Sequence, residues 1–127
     1  MDIPSRQTPR VATKQLGDAA ENQALDYLRS QGLRLVQRNY RTPGRGGGEI
    51  DLILRENDGT LVFVEVRSRA SRTHGGAAAS VGHVKQRRIV LAARHYLMRI
   101  QPWPPCRFDV VVVEPEGLQW LRAAFEA

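Results

Sequence analysis

The amino-acid sequence predicts an α/β domain in which helices cover a mixed β-sheet. Two segments with apolar residues at three- and four-residue spacing predict amphipathic helices, and two alternating segments around a short turn predict a β-hairpin. The nearly continuous apolar run from Phe108 to Val113 predicts a central strand that is covered on both faces. With 127 residues, 42% of them hydrophobic, the chain suits one domain with a core of ordinary size.

The N-terminal part predicts a tail, a helix and a strand. Residues 1–13 contain two prolines and little apolar patterning, and we interpret them as a disordered basic tail before a single domain over 14–127. Residues 14–30 predict a helix, which the glycine at position 32 ends. Residues 33–40 predict the first strand.

The next segments predict a flexible connection and then a hairpin. The connection is the Gly-rich stretch 42–48, and strands at about 49–55 and 61–68 flank the Asn-Asp-Gly turn that ends at Gly59. A three-residue loop of this kind places Asp51 directly opposite Glu65, with both side chains on one face of the sheet. A two-residue loop would put them on opposite faces.

The remaining chain predicts a loop, a helix and two further strands. Residues 69–80 are rich in Ser, Arg, Gly and Ala and are typical of a mobile loop, and residues 82–100 predict a second helix that the following prolines stop. After the apolar strand, Leu118 and Trp120 predict the start of a short last strand with a frayed C-terminus.

Charge is unevenly distributed along this basic chain, whose formal net charge is +6. Residues 49–64 contain four acids and one base, whereas residues 65–100 contain eight bases and one acid. An acidic spot beside a basic surface suits metal ions next to a phosphate backbone, although charge alone does not establish such a partner.

The cysteine count and hydropathy exclude several classes of protein. Cys106 is the only cysteine, so no internal disulfide can form. No apolar run approaches membrane-spanning length, and the N-terminus lacks the apolar segment of a signal peptide. We therefore expect a soluble, cytoplasmic protein without a membrane partner.

Two neighbouring carboxylates carry the predicted chemistry. Asp51 and Glu65 are expected side by side with Ile53 and Phe63 next to them, where the charges repel each other and lose solvation. A divalent magnesium or manganese ion would offset that cost, and so would a salt bridge to Arg67 or another arginine. A metal ion there would activate water for phosphodiester hydrolysis.

Other polar residues border the predicted helices. Glu21 lies beside the apolar stripe of the first helix, although by itself it suits a solvated helix edge. Lys85 and Gln86 stand at the start of the second helix, where a solvated basic face is the simpler interpretation. Asp109 is expected to be buried and paired, either near Arg107 or with the second helix, and it ranks behind Asp51 as a metal ligand.

These residues together resemble a known family. The pattern from Asp51 to Glu65-Val66-Arg67 resembles the core of the PD-(D/E)xK nuclease superfamily. The closest resemblance is to the YraN family of largely uncharacterised bacterial proteins, which are similar to archaeal Holliday junction resolvases. The matching stretches cover about residues 14–126: Gly17, Glu21, Ala24, Tyr27 and Leu28; Arg38–Arg41; Gly48–Ile53; Val62–Arg69; Lys85–Arg88; Arg107–Val110; and Ala124–Phe125.

The resemblance implies a restriction-endonuclease-like fold, with a mixed sheet of about four or five strands flanked by helices. It implies magnesium bound by Asp51, Glu65 and the Val66 carbonyl, with Glu21 as the first-helix carboxylate. It further implies that Lys85 and Gln86 lie near the site, that the substrate is DNA, branched DNA included, and that the protein is a homodimer.

One departure concerns the lysine of the superfamily, which is Arg67 here. Because arginine stays protonated, Arg67 can orient water or stabilise negative charge but cannot act as a base. If a compact ammonium is needed, the role falls to Lys85 or activity is lost.

Three hypotheses remain open at the level of the sequence. The first is a magnesium- or manganese-dependent endonuclease. The second is a non-catalytic nucleic-acid-binding domain of nuclease descent, which Arg67 favours, and the third is a protein-interaction module that uses Trp103 and Trp120. The predicted nucleic-acid-binding residues are Arg69, Arg72, Arg87 and Arg88.

Overall fold

The computed structural model describes the backbone of residues 8–70 and 81–127, and side chains from residue 17 onward within these ranges. The first part of the predicted tail, residues 1–7, lies outside the described residues. So does nearly all of the predicted loop, including Arg72.

Within the described residues, two helices and five strands follow one another in the predicted order. They are α1 (Thr8–Ser30), β1 (Arg34–Arg41), β2 (Glu49–Arg55), β3 (Leu61–Ser68), α2 (His83–Leu97), β4 (Cys106–Glu114) and β5 (Gly117–Phe125).

Some boundaries differ from the prediction. Helix α1 begins at Thr8 instead of residue 14, and Pro9 is accommodated because N–H groups in a first helical turn have no intrahelical acceptor. Helix α2 ends at Leu97, and a hydrogen-bonded turn continues to Ile100. Strand β5 extends to Phe125, whereas the sequence predicted a short strand and a frayed end.

The five strands form one mixed sheet in the order β1-β2-β3-β4-β5. Strands β3 and β4 are parallel, and the other neighbouring pairs are antiparallel. A parallel pair needs a crossover connection, which contains α2. The predicted α/β architecture is confirmed, and a mixed sheet flanked by two helices is consistent with a restriction-endonuclease-like domain.

Each helix covers one face of the sheet. On the α2 face, Ile89 and Tyr96 share an apolar cluster with Phe63 and Val110. On the α1 face, Ala24 and other helix residues share a second cluster with strand residues. The strand members of that second cluster are Leu52, Leu54, Val62, Val64, Val111 and Val113. Because both faces are covered, β2, β3 and β4 are apolar on both sides, as predicted for β4.

The hairpin between β2 and β3 confirms the predicted register. Arg55 pairs with Leu61 and Leu52 pairs with Val64, so the pairing is centred on position 58. Gly59 has a φ of +94°, which fits the predicted left-handed glycine. No helix within the described residues is both long enough and apolar enough to span a bilayer.

Candidate functional site

Asp51 lies where β2 and β3 separate. Their paired register ends at Leu52 and Val64, one residue before Asp51 and Glu65 would pair. Beyond that point the Val66 N–H donates to Oδ2 of Asp51 at 2.8 Å, in place of a β2 backbone carbonyl. The carboxylates of Asp51 and Glu65, one from each strand, therefore lie at the point where the pairing ends.

Glu65 is buried with its charge only partly compensated. Its side chain is 5% exposed, and its Oε2 atom lies 3.6 Å from Arg67 Nε and 3.8 Å from Lys85 Nζ. These distances allow electrostatic attraction but are too long for good hydrogen bonds. The Oε1 atom is buried and has no hydrogen-bond partner among the described residues. A buried carboxylate oxygen without a donor is costly, and a bound cation would offset that cost.

Burial raises the pKa of all three acids of the predicted site, and the charge of Asp51 adds to the shift of the other two. Burial and then the charge of Asp51 raise the pKa of Glu65 to about 7, against the opposing effect of Lys85 and Arg67. Burial likewise raises the pKa of Asp51, although the hydrogen bond from Val66 favours its charged form. Burial and the charge of Asp51 also raise the pKa of Glu21. Raised pKa values of this kind show that the surroundings disfavour the charged form of these carboxyl groups.

Glu21 comes near the pair but is held by Arg38. Its Oε1 atom accepts a hydrogen bond from Arg38 Nη2 on β1 at 3.3 Å, and the Glu21 side chain is 15% exposed. Among the described residues, no three His, Cys, Asp or Glu side chains form a group that could hold a metal ion. Glu21 is therefore a neighbour of the two-carboxylate site. Arg38 was a site residue that sequence reasoning missed, and its position within the Arg38–Arg41 match was the available signal.

The remaining donor set fits a hard divalent cation. Asp51, Glu65 and the Val66 carbonyl could supply oxygen ligands from adjacent strands: the Val66 N–H donates to Asp51 Oδ2, and Glu65 Oε1 has no hydrogen-bond partner among the described residues. Magnesium is commonly held by one or two carboxylates, while water and substrate phosphate supply its other ligands. Two carboxylates without a third are therefore sufficient for magnesium or manganese.

The other predicted site residues lie in different surroundings. Lys85 contacts Glu65, as expected, whereas Gln86 Nε2 donates to the Val81 carbonyl at 2.9 Å. Gln86 and Arg87 line a cavity of about 590 Å³ between α2 and the C-terminal residues, and the candidate carboxylates do not line it. Lys85 is thus the polar residue of the α2 start that reaches the acids.

The predicted basic residues also divide by environment. Arg87 and Arg88 are both exposed. Arg88 also donates hydrogen bonds through Nε and Nη2 to the Gly47 carbonyl, at 3.1 and 3.0 Å. Arg69 is partly buried, and its backbone N–H donates a hydrogen bond to the Val113 carbonyl at 2.9 Å. Arg72 lies outside the described residues.

Asp109 has a structural environment, as the sequence predicted. It is fully buried and accepts hydrogen bonds from Arg107 Nε, Trp120 Nε1 and the Ala123 N–H, at 2.9 to 3.2 Å. These donors satisfy its charge and attach β5 to β4. Trp120 is therefore engaged within the fold, whereas Trp103 is 57% exposed.

Residues 20–113 match the model of the uncharacterised protein family UPF0102. A UPF0102 protein of Albidiferax ferrireducens is 66% identical over 127 residues, covering all of this chain and 99% of the relative. UPF0102 proteins of Paracidovorax citrulli and an Acidovorax species are 65% and 64% identical, covering 93% and 94% of this chain and 87% and 90% of the relatives. These names assign no activity.

Proposed function

The chain belongs to the uncharacterised protein family UPF0102. We propose that the protein is a metal-dependent endonuclease that hydrolyses phosphodiester bonds in DNA, branched DNA included. One observation carries the proposal. Asp51 and Glu65 lie together where two strands separate, and no described residue offers the buried Oε1 of Glu65 a hydrogen bond.

The proposed ligands of a magnesium or manganese ion are Asp51, Glu65 and the Val66 carbonyl. When bound, such an ion would polarise the phosphate and lower the pKa of a water molecule. The chain itself keeps the ligands in place: the Val66 N–H orients the Asp51 carboxylate, and the sheet buries Glu65. Glu21 and Arg38 form a partly buried pair beside the site, which keeps the Glu21 carboxylate near Asp51.

The proposed roles of the two cations follow from their positions at Glu65. Arg67 and Lys85 approach the same oxygen from β3 and α2, at 3.6 and 3.8 Å. Arg67 stays charged, so it serves as a fixed positive charge for the transition state. Lys85 is 36% exposed and is a compact ammonium on a flexible stem, so it can move toward a substrate phosphate. We therefore assign the role of the superfamily lysine to Lys85.

A cleavage panel tests the proposal. Single-stranded, duplex, flap and four-way DNA are incubated with magnesium or manganese and the native protein, Asp51→Ala, Lys85→Ala or Asp26→Asn. Asp26 is an exposed acid on α1 and is the matched control. Cleavage should be lost in Asp51→Ala, fall by about 10²-fold or more in Lys85→Ala and persist in Asp26→Asn. Absence of cleavage on every substrate, or equal cleavage by Asp51→Ala, would overturn the proposal.

Arg67 supports a second candidate, a non-catalytic nucleic-acid-binding domain of nuclease descent. Because Arg67 stands where the superfamily has lysine and cannot act as a base, the site could bind DNA without cutting it. Steeply salt-dependent DNA binding that survives Asp51→Ala, without cleavage, would support this candidate. A homodimer and a cytoplasmic location stay predictions.

A further inference from the structure

The glycine-rich loop that joins β1 to β2, residues 42–48, is docked on the fold instead of being the flexible connection that the sequence predicted. The Thr42 N–H donates to the Gly48 carbonyl at 3.1 Å, and the Gly48 N–H donates to Thr42 Oγ1 at 2.7 Å. Two N–H groups of Arg88 on α2 hold the Gly47 carbonyl. The loop is thereby closed at its base and attached to a helix.

Close packing fixes the loop further. A Cβ atom at Gly48 would lie 1.8 Å from the Arg88 carbonyl oxygen, and one at Gly47 would lie 2.1 Å from Thr42 Oγ1. Both positions therefore require glycine, since no side chain fits between the loop and its supports. A loop held in this way has little conformational entropy to lose on binding a ligand.

Unpaired backbone donors lie at the tip of this loop. Within the described residues, no hydrogen-bond acceptor is found for the N–H groups of Gly44, Arg45 and Gly46. Gly44 and Gly46 have φ values of +87° and +69°, and the residue between them does not have a positive φ. Backbone that alternates in this way turns successive N–H groups toward a common concavity, which suits an anion.

The surroundings of the tip are polar and basic. The loop and its neighbours line a cavity of about 230 Å³, to which Arg41, Arg88 and Glu49 contribute side chains. Arg41 is 73% exposed at the side chain and pairs with Glu49 at 3.5 Å, and Arg45 is exposed on the loop itself. Three arginines against one glutamate favour a negatively charged ligand.

We infer that the glycine-rich loop binds a backbone phosphate of the nucleic acid, through its N–H groups together with Arg41 and Arg45. Asp51 follows Gly48 by three residues of extended chain, which is roughly 10 Å. This short separation places the loop so that it would hold a phosphate close to the cleaved bond on the same stretch of nucleic acid. Arg88 acts as a positioning residue because its guanidinium supports the loop.

This inference rests on the proposed function, but its test needs neither metal nor cleavage. Binding of a short fluorescent DNA duplex is measured by anisotropy in EDTA over a range of salt concentrations. The variants are Arg45→Ala, Gly46→Ala and the matched control Arg29→Ala, since Arg29 is exposed on α1, across the sheet from α2. Circular dichroism verifies that each variant is folded.

Arg45→Ala should weaken binding and reduce the slope of log affinity against log salt by about 1, as expected for one lost phosphate contact. Gly46→Ala should weaken binding without removing charge, because its φ of +69° is strained for alanine and no neighbour would clash. Arg29→Ala should match the native protein. The inference is overturned if the loop variants bind like Arg29→Ala or if the protein does not bind DNA. If the loop variants bind DNA like the native protein while the native protein cleaves DNA, only the inference about the loop is overturned. If the loop variants bind DNA more weakly but the native protein does not cleave it, only the endonuclease proposal is overturned.

Discussion

The burial of Glu65 predicts a pH-dependent stability that a single substitution should remove. Burial and the charge of Asp51 raise the pKa of Glu65 from 4.5 to about 7 in the metal-free protein. The folded state therefore holds this proton more tightly than the unfolded chain. Between pH 4.5 and 7 the folded state binds more protons, so the free energy of unfolding falls as pH rises through this window.

The size of this effect follows from the two pKa values of Glu65. At about 1.36 kcal/mol for each pH unit between them, ionisation costs the folded protein up to about 3 kcal/mol. Below pH 4.5 Glu65 is protonated in both states and contributes nothing, and above pH 7 the loss is complete. Glu65→Gln replaces the carboxyl by a neutral amide of similar size, so it should abolish most of this loss.

Urea unfolding in EDTA at pH 5 and pH 8 measures the effect. The native protein should lose about 2–3 kcal/mol more than Glu65→Gln between these two pH values. Asp26→Asn, which removes an exposed carboxylate, should behave like the native protein. Equal pH dependence in the native protein and Glu65→Gln would refute the reasoning, because Glu65 would then not titrate as a buried acid.

Four further substitutions test separate parts of the structure. Gly48→Ala should lower the free energy of unfolding by about 1–3 kcal/mol or more in urea titrations, because its Cβ would lie 1.8 Å from a backbone oxygen of α2. Gly17→Ala, in open space on α1, should instead raise it by about 0.5–1 kcal/mol, and equal effects of the two would contradict the close contact. Trp120→Phe should cost about 1–3 kcal/mol in the same assay, because buried Asp109 loses an indole donor at 2.9 Å; an unchanged stability would show that this hydrogen bond is dispensable. Arg67→Lys should retain metal-dependent cleavage, because Lys85 supplies the compact ammonium and lysine keeps the positive charge at position 67, and a complete loss of cleavage would contradict this expectation.

The sequence predicted that Asp51 and Glu65 come together on adjacent strands because the information is local. A three-residue turn fixes the register of the strands on either side of it, and the alternation of side chains then determines which residues share a face. The observed register, with Ile53 opposite Phe63, follows from that turn. The order of helix and strand patterns added the expectation of a mixed sheet covered by helices, and the resemblance added the expectation of four or five strands in a restriction-endonuclease-like fold.

The parts that the sequence did not predict depend on contacts between distant segments. The pairing of Arg38 with Glu21 requires α1 to lie over β1, and no local pattern encodes that placement. Asn39 has a φ of +53°, which alternation along β1 cannot anticipate. The loop at 42–48 appeared flexible because its glycines permit many conformations, whereas Arg88 of α2 selects one of them.

The central claim is that Asp51 and Glu65 hold a divalent cation, and calorimetric titration of the metal-free protein with manganese at pH 8 tests it most directly. The native protein should bind manganese, and the heat signal, of either sign, should saturate as manganese is added. Asp51→Asn and Glu65→Gln should each lose most of this binding, and Asp26→Asn should retain it. Binding by the native protein should also weaken at pH 5, because protons compete for the same carboxylates. Absence of saturable binding, or binding that both site variants retain, would contradict the account.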